Sequence, residues 1–142
     1  MTHLVGIAQY VQGHVLGIIL AIIASFIVGF TWHGPLFGKQ WMKLNNYTEE
    51  ELKGVNPGPL YAQSFVATLV MYAVLAHFLG EHSDMTWMGG AEVGCIVWFG
   101  FITPVQFTAN LFSKKPRGAY LLDTGYQLVS TVAAGIILAV WR

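Results

Sequence analysis

The chain has 142 residues, 55% hydrophobic and only 10% charged, with seven basic and seven acidic side chains and a formal net charge of zero. Soluble domains carry about 25% charged residues, so this composition is too poor in charge to clothe a soluble surface. The neutral balance excludes nucleic acid as a partner, which needs clustered Lys and Arg, and a single cysteine, Cys95, excludes an intrachain disulfide framework and a cysteine-based zinc finger.

A helix needs about 20 mostly apolar residues to cross a bilayer. After a stretch without Lys or Arg, His3 to Gln12, which either lengthens the first span or lies at the interface, the run 14–32 meets that length without a formal charge. It lacks the basic flank of a secretory signal and exceeds the length of its apolar region, so a retained helix is expected. Three further runs follow at about 61–79, 90–111 and 119–141, with Glu92 and Asp123 near the starts of the last two. Four buried helices of a soluble bundle would need charged outer faces that these runs do not have. The expected fold is all-α, an integral membrane four-helix bundle forming a single domain over residues 1–142.

The segment after the first run is read as an exit from the bilayer. Gly34-Pro35 is expected to stop the helix, because the residue before proline is pushed out of the α region. Phe37, Trp41 and Leu44 then share one helical face opposite Lys39, Gln40 and Lys43, the pattern of a short interfacial helix with Trp32 and Trp41 as anchors beside Lys39 and Lys43. Thr48-Glu49-Glu50-Glu51 reads as a capping box opening another short helix, and Asn56-Pro57-Gly58-Pro59 as the turn into the second span.

Six of the seven basic residues fall in two loops: Lys39, Lys43 and Lys53 in the first, Lys114, Lys115 and Arg117 in the third, with Arg142 alone on the other side. The positive-inside rule then makes loops 33–60 and 112–118 cytoplasmic and sets both termini outside, in a bacterial plasma (inner) membrane.

The stretches FTWHGPLFGKQWMKLNNYTEEEL and WFGFITPVQFTANLFSKKPRGAYLLDTGYQLVSTVAAGIILAVW resemble the family called domain of unknown function 1761, from about Gly29 onward. His33 stands where that pattern has a tyrosine. The resemblance implies a small four-helix bacterial membrane protein and brings no activity or catalytic residues with it.

Gly13, Gly17, Ala21, Ser25 and Gly29 recur every four residues on the first span, and Thr131, Gly135 and Ala139 on the fourth. Small faces of this kind let helices approach closely in lipid, either within the chain or between copies. A polar stripe of Thr103, Gln106 and Asn110 on the third span and Asp123, Gln127, Ser130 and Thr131 on the fourth is expected to be sealed by hydrogen bonds between the helices. The alternative is a hydrophilic path for a small solute or ion. Pro104 should kink the third span.

His14, His77, Glu92 and Cys95 fall toward the outer side and are weak candidates for a metal ion; without a local ligand spacing, no metal and no cofactor is expected. A phosphate loop, a nucleophile elbow and an HExxH motif are all missing. The sequence therefore favours a non-enzymatic membrane protein working through helix-face association in the lipid bilayer, as a homo-oligomer or an accessory subunit of a larger complex. A small transporter or channel using the polar faces of the third and fourth spans is the rival.

Overall fold

In lipid each backbone N–H and C=O must be satisfied within its own segment, so the apolar runs have helix as their outlet. The computed structural model describes residues 1–141; Arg142, the basic residue expected on the far side, lies outside them. The elements are α1 (Thr2–Gly13), α2 (Val15–Thr31), a π-helical turn (Trp32–Leu36), α3 (Gly38–Asn45), α4 (Glu49–Lys53), α5 (Pro57–Gly80), α6 (Trp87–Val97), a second π-helical turn (Trp98–Ile102), α7 (Thr103–Ser113) and α8 (Arg117–Val140). Four helical stretches are long and apolar enough to span a membrane: Val15–Leu36, Pro57–Gly80, Trp87–Ser113 and Arg117–Val140. No strand occurs among the described residues.

Gly34-Pro35 does not end the first span, contrary to the sequence expectation. The helix continues through the π turn and breaks only at Phe37 (φ −126°, ψ 12°). Two features allow this. Glycine before proline has no Cβ to clash with the ring, and the wider turn makes room for Pro35, closing with Phe37 N–H donating to the Trp32 carbonyl at 2.9 Å. The third span is interrupted in the same way, its π turn lying directly before Thr103-Pro104, where the proline has no N–H to give.

The second span begins earlier than its apolar run. Asn56 caps it, its Oδ1 accepting from Gly58 N–H at 3.2 Å, and Pro57 occupies the first turn, where no N–H is needed. Thr48 caps α4 as expected, its hydroxyl accepting from Glu51 N–H at 3.2 Å. The segment His3 to Gln12 is a helix of its own, α1, which breaks from α2 at His14 and packs on the last turns of α5, where Gly6 faces the His77 ring and Gly80 faces Tyr10.

α8 is the central helix, packed against α2, α5 and α6. Both small-residue faces close inside the chain. Gly17 abuts the Trp141 backbone, Ala21 and Ser25 are buried, and Gly29 lies against Tyr126; Gly13 alone has open space. Thr131, Gly135 and Ala139 are buried on the other side of α8 against Gly90 and Gly94 of α6, with the Gly90 and Gly135 backbones in direct contact. A Cβ on Gly94 would lie 2.5 Å from the Thr131 carbonyl oxygen, so only glycine permits that approach. The apolar core, centred on Ile18, Ile22, Leu75, Leu79 and Leu138, sits between α2, α5 and α8.

Candidate functional site

At the end of the bundle that carries the basic loops, the helices separate around an ionisable pair. His33, in the π turn, continues the four-residue ladder of Gly17, Ala21, Ser25 and Gly29. Asp123 opens the opposing ladder on α8. The antiparallel packing that sets Gly29 against Tyr126 therefore brings His33 Nε2 to 3.6 Å from Asp123 Oδ1. The other ring nitrogen, Nδ1, lies 3.1 Å from the Gly29 carbonyl, which it reaches as a donor. The imidazole is held edge-on between Trp41 and Tyr126, at 5.9 and 5.1 Å between ring centroids.

Around this pair opens a cleft of about 820 Å³. Asp123, Gln127 and Tyr126 of α8 and Gln106 of α7 form its walls. Trp41, Glu51 and Tyr61 close it from α3, α4 and α5, and Lys115 stands at its edge. A second recess of about 520 Å³ shares His33, Trp41, Tyr61 and Tyr126 with it and runs deeper, to Ser25 and Thr68. At its floor the Ser25 hydroxyl is hydrogen-bonded to the Tyr72 hydroxyl, which donates in turn to the Ser130 carbonyl at 3.4 Å. Gln106 Oε1 and Ser130 Oγ are buried with no protein partner among the described residues, although buried polar atoms are as a rule satisfied.

The polar stripe expected to be sealed between α7 and α8 is thus open where Gln106, Asp123 and Gln127 line the cleft. Its other members do different work. Asn110 is buried and fastens the basic turn: its Nδ2 donates to the Lys115 and Pro116 carbonyls at 3.5 and 3.4 Å, and its Oδ1 accepts from Arg117 at 3.5 Å. Thr103 Oγ1 is buried with no hydrogen-bond partner among the described residues, and its carbonyl accepts from Tyr120. Thr131 turns its hydroxyl back to the Gln127 carbonyl at 2.8 Å and belongs to the α6–α8 seam.

The anchor residues divide as well. Trp32, expected at the headgroups, instead turns inward: its indole N–H donates to the Leu122 carbonyl at 3.0 Å and its ring lies against Gly125. An indole in an apolar helix interface seeks an acceptor, and the α8 backbone supplies one. Trp41 is half-buried over His33 as a wall of the cleft, while Lys39 and Lys43 are exposed on the outer side of α3.

The weak metal candidates are not brought together. His14 stacks on Tyr10 at 3.9 Å and bonds the Tyr10 carbonyl; Glu92 and Cys95 are exposed on α6. His77 alone joins a donor group, with His3 and Glu81, two residues the sequence reading passed over.

His33, Tyr61 and Tyr126 were likewise missed as site residues. The signal for His33 was present as one further step of the small-residue ladder, since 33 follows 29 by the same four-residue interval.

No curated protein and no solved structure matches this chain. A family model does match, over residues 16–139, and it covers the four spans but for their end residues Val15 and Val140, both π turns and every residue of the His33–Asp123 cleft. The chain belongs to the family described as protein of unknown function DUF1761.

Proposed function

We propose that the chain is a non-enzymatic membrane protein that binds and passes a small polar or amphipathic solute through the cleft around His33 and Asp123. The observation that supports this reading is the cleft itself. Its volume, about 820 Å³, falls within the roughly 300–1,000 Å³ of ligand sites. Ionisable groups inside spanning segments are costly and mark solute or ion routes. Here two of them, with Gln106 and Gln127, face the same space beneath aromatic walls. The deeper recess continues the polar track to Ser25 and the Tyr72 hydroxyl, well into the bundle. In this reading the chain sits in the inner membrane of a bacterium with the basic loops and the cleft mouth cytoplasmic and both termini outside, as the loop charges favour.

Asp123→Asn tests it. Purified protein reconstituted into vesicles on a solid-supported membrane is challenged with a panel of small amines, carboxylates and inorganic ions. The expected result is charge movement with at least one member of the panel, reduced at least about tenfold by Asp123→Asn, as loss of about 1.4 kcal/mol of solute interaction would give, with the oligomeric state unchanged. Wild-type signals equal to those of protein-free vesicles across the panel would contradict it.

Helix-face association remains the second reading, favoured by one observation. Between α5 and α6 lies a wholly apolar gap of about 560 Å³ lined by Val70, Val74, Phe78, Val93 and Phe101, wide enough to receive side chains from another copy or another membrane subunit. The small-residue faces are occupied within the chain, so association would use this gap.

A further inference from the structure

At the end of the bundle away from the basic loops, three donors of metal-ligand type converge from two helices. His77 and Glu81 are one turn apart on α5 and its C-cap, and His3 comes from α1; their ligand atoms all lie within 4.8 Å of one another. His77 Nε2 is 3.5 Å from Glu81 Oε1, and His3 Nδ1 is 3.9 Å from the same oxygen. The decisive atom is His77 Nε2. His77 is only 8% exposed, and this nitrogen is buried with no hydrogen-bond partner among the described residues. Gly6 lies against the ring, where a Cβ would come within 2.9 Å of Cε1, so α1 presses on the imidazole and limits where it can turn. A buried polar atom left unsatisfied is costly, and here it is aimed at a carboxylate and a second imidazole.

We propose that His3, His77 and Glu81 bind a divalent transition cation of the zinc class, with water in the fourth position. Two imidazoles and a carboxylate are ligands that zinc accepts at about 2.0–2.2 Å, which places neighbouring donors of a tetrahedron about 3.4 Å apart. His77 and Glu81 already have that separation, at 3.5 Å. His3, at 3.9 Å from Glu81, must move closer, and its side chain, 76% exposed, is free to do so. The consequence reaches beyond the ion. α1 has no fully buried residue and rests on α5 through Gly6, Tyr10 and Val11, and a cation shared by His3 and the α5 pair would pin it there further. Binding then strengthens the docking of α1, because metal affinity adds to folding free energy where the site is completed by folding.

The test uses the full chain in detergent, stripped with a chelator, then titrated with zinc chloride by calorimetry and followed by thermal unfolding. The variants are His3→Ala and Glu81→Gln, both at exposed side chains whose change leaves the helices intact. Wild-type protein should bind one zinc per chain and melt at a higher temperature with zinc than without. Each variant should match the wild-type melting temperature in chelator and lose more than the roughly 10–100-fold in affinity that removal of an outer-shell partner costs. No saturable binding by the wild type overturns the proposal, as does either variant binding zinc as tightly as the wild type.

Discussion

Tyr72 and Asp123 show what a polar side chain does at two depths of the same bundle. Tyr72 is 2% exposed, and its hydroxyl joins Ser25 of α2 to Ser130 of α8. Contacts of this type inside membranes average about 0.6 kcal/mol and reach about 1.7. Tyr72→Phe should therefore lower stability by about 0.6–1.7 kcal/mol, read by reversible unfolding in mixed micelles, with the helical content unchanged. A loss well above that range would mean the hydroxyl is part of a larger network. Asp123 is only half-buried and faces the cleft beside His33, so under the proposed function the effect of neutralising it falls on solute movement more than on stability. Asp123 and Gln127 were legible in the sequence, because polar residues four apart in an apolar run announce a face. His33 was not, because a lone histidine at the end of a span reads as an exit from the bilayer, and its partner lies ninety positions along the chain. His3 was hidden for the same reason, since it meets His77 only once α1 has broken at His14 and folded onto α5; Glu81, four residues after His77 at the end of the same helix, was legible as an i, i+4 pair and was passed over.

At the scale of the helices, the tightest seam is between α6 and α8. Gly90 and Gly94 admit the backbones of Gly135 and Thr131, and added side chains would meet carbonyl groups that cannot give way. Gly94→Val should cost at least the roughly 1–3 kcal/mol typical of overpacking and lower the melting temperature in detergent; an unchanged melting temperature would show that the seam is looser than described. The α8 half of this seam was readable as a small-residue stripe. Its complement was not recognised, since Gly90 and Gly94 stand where the third apolar run begins and look like a helix start. The four spans themselves followed from run length alone. Their ends did not, because proline acts differently by context: Pro57 starts a helix behind an Asn56 cap, while Pro35 and Pro104 are absorbed by π turns. A kink is predictable from a proline; the shift of the hydrogen bonds to a five-residue step is a tertiary outcome.

Over the whole molecule, α8 serves as the shared wall of two structures of opposite character. On one face it closes with α6 through small residues; on the other it stays packed against α2 from Gly17 to Trp32, and the cleft around His33 and Asp123 opens between this pair and α3, α4, α5 and α7. That opening is what distinguishes a solute path from a sealed bundle, and it can be read by chemical access. Gln127→Cys, in a Cys95→Ala background, would be exposed to a membrane-impermeant thiol reagent from each side. Ser113→Cys in the basic turn and Ser83→Cys in the opposite loop serve as references, with Ala134→Cys in the buried core as the unreactive limit. The account predicts that Gln127→Cys labels from the same side as Ser113→Cys, at a comparable rate, and that Ser83→Cys labels from the other side. A cysteine at 127 as inert as one at 134 would mean that no water reaches the cleft, and would contradict the account.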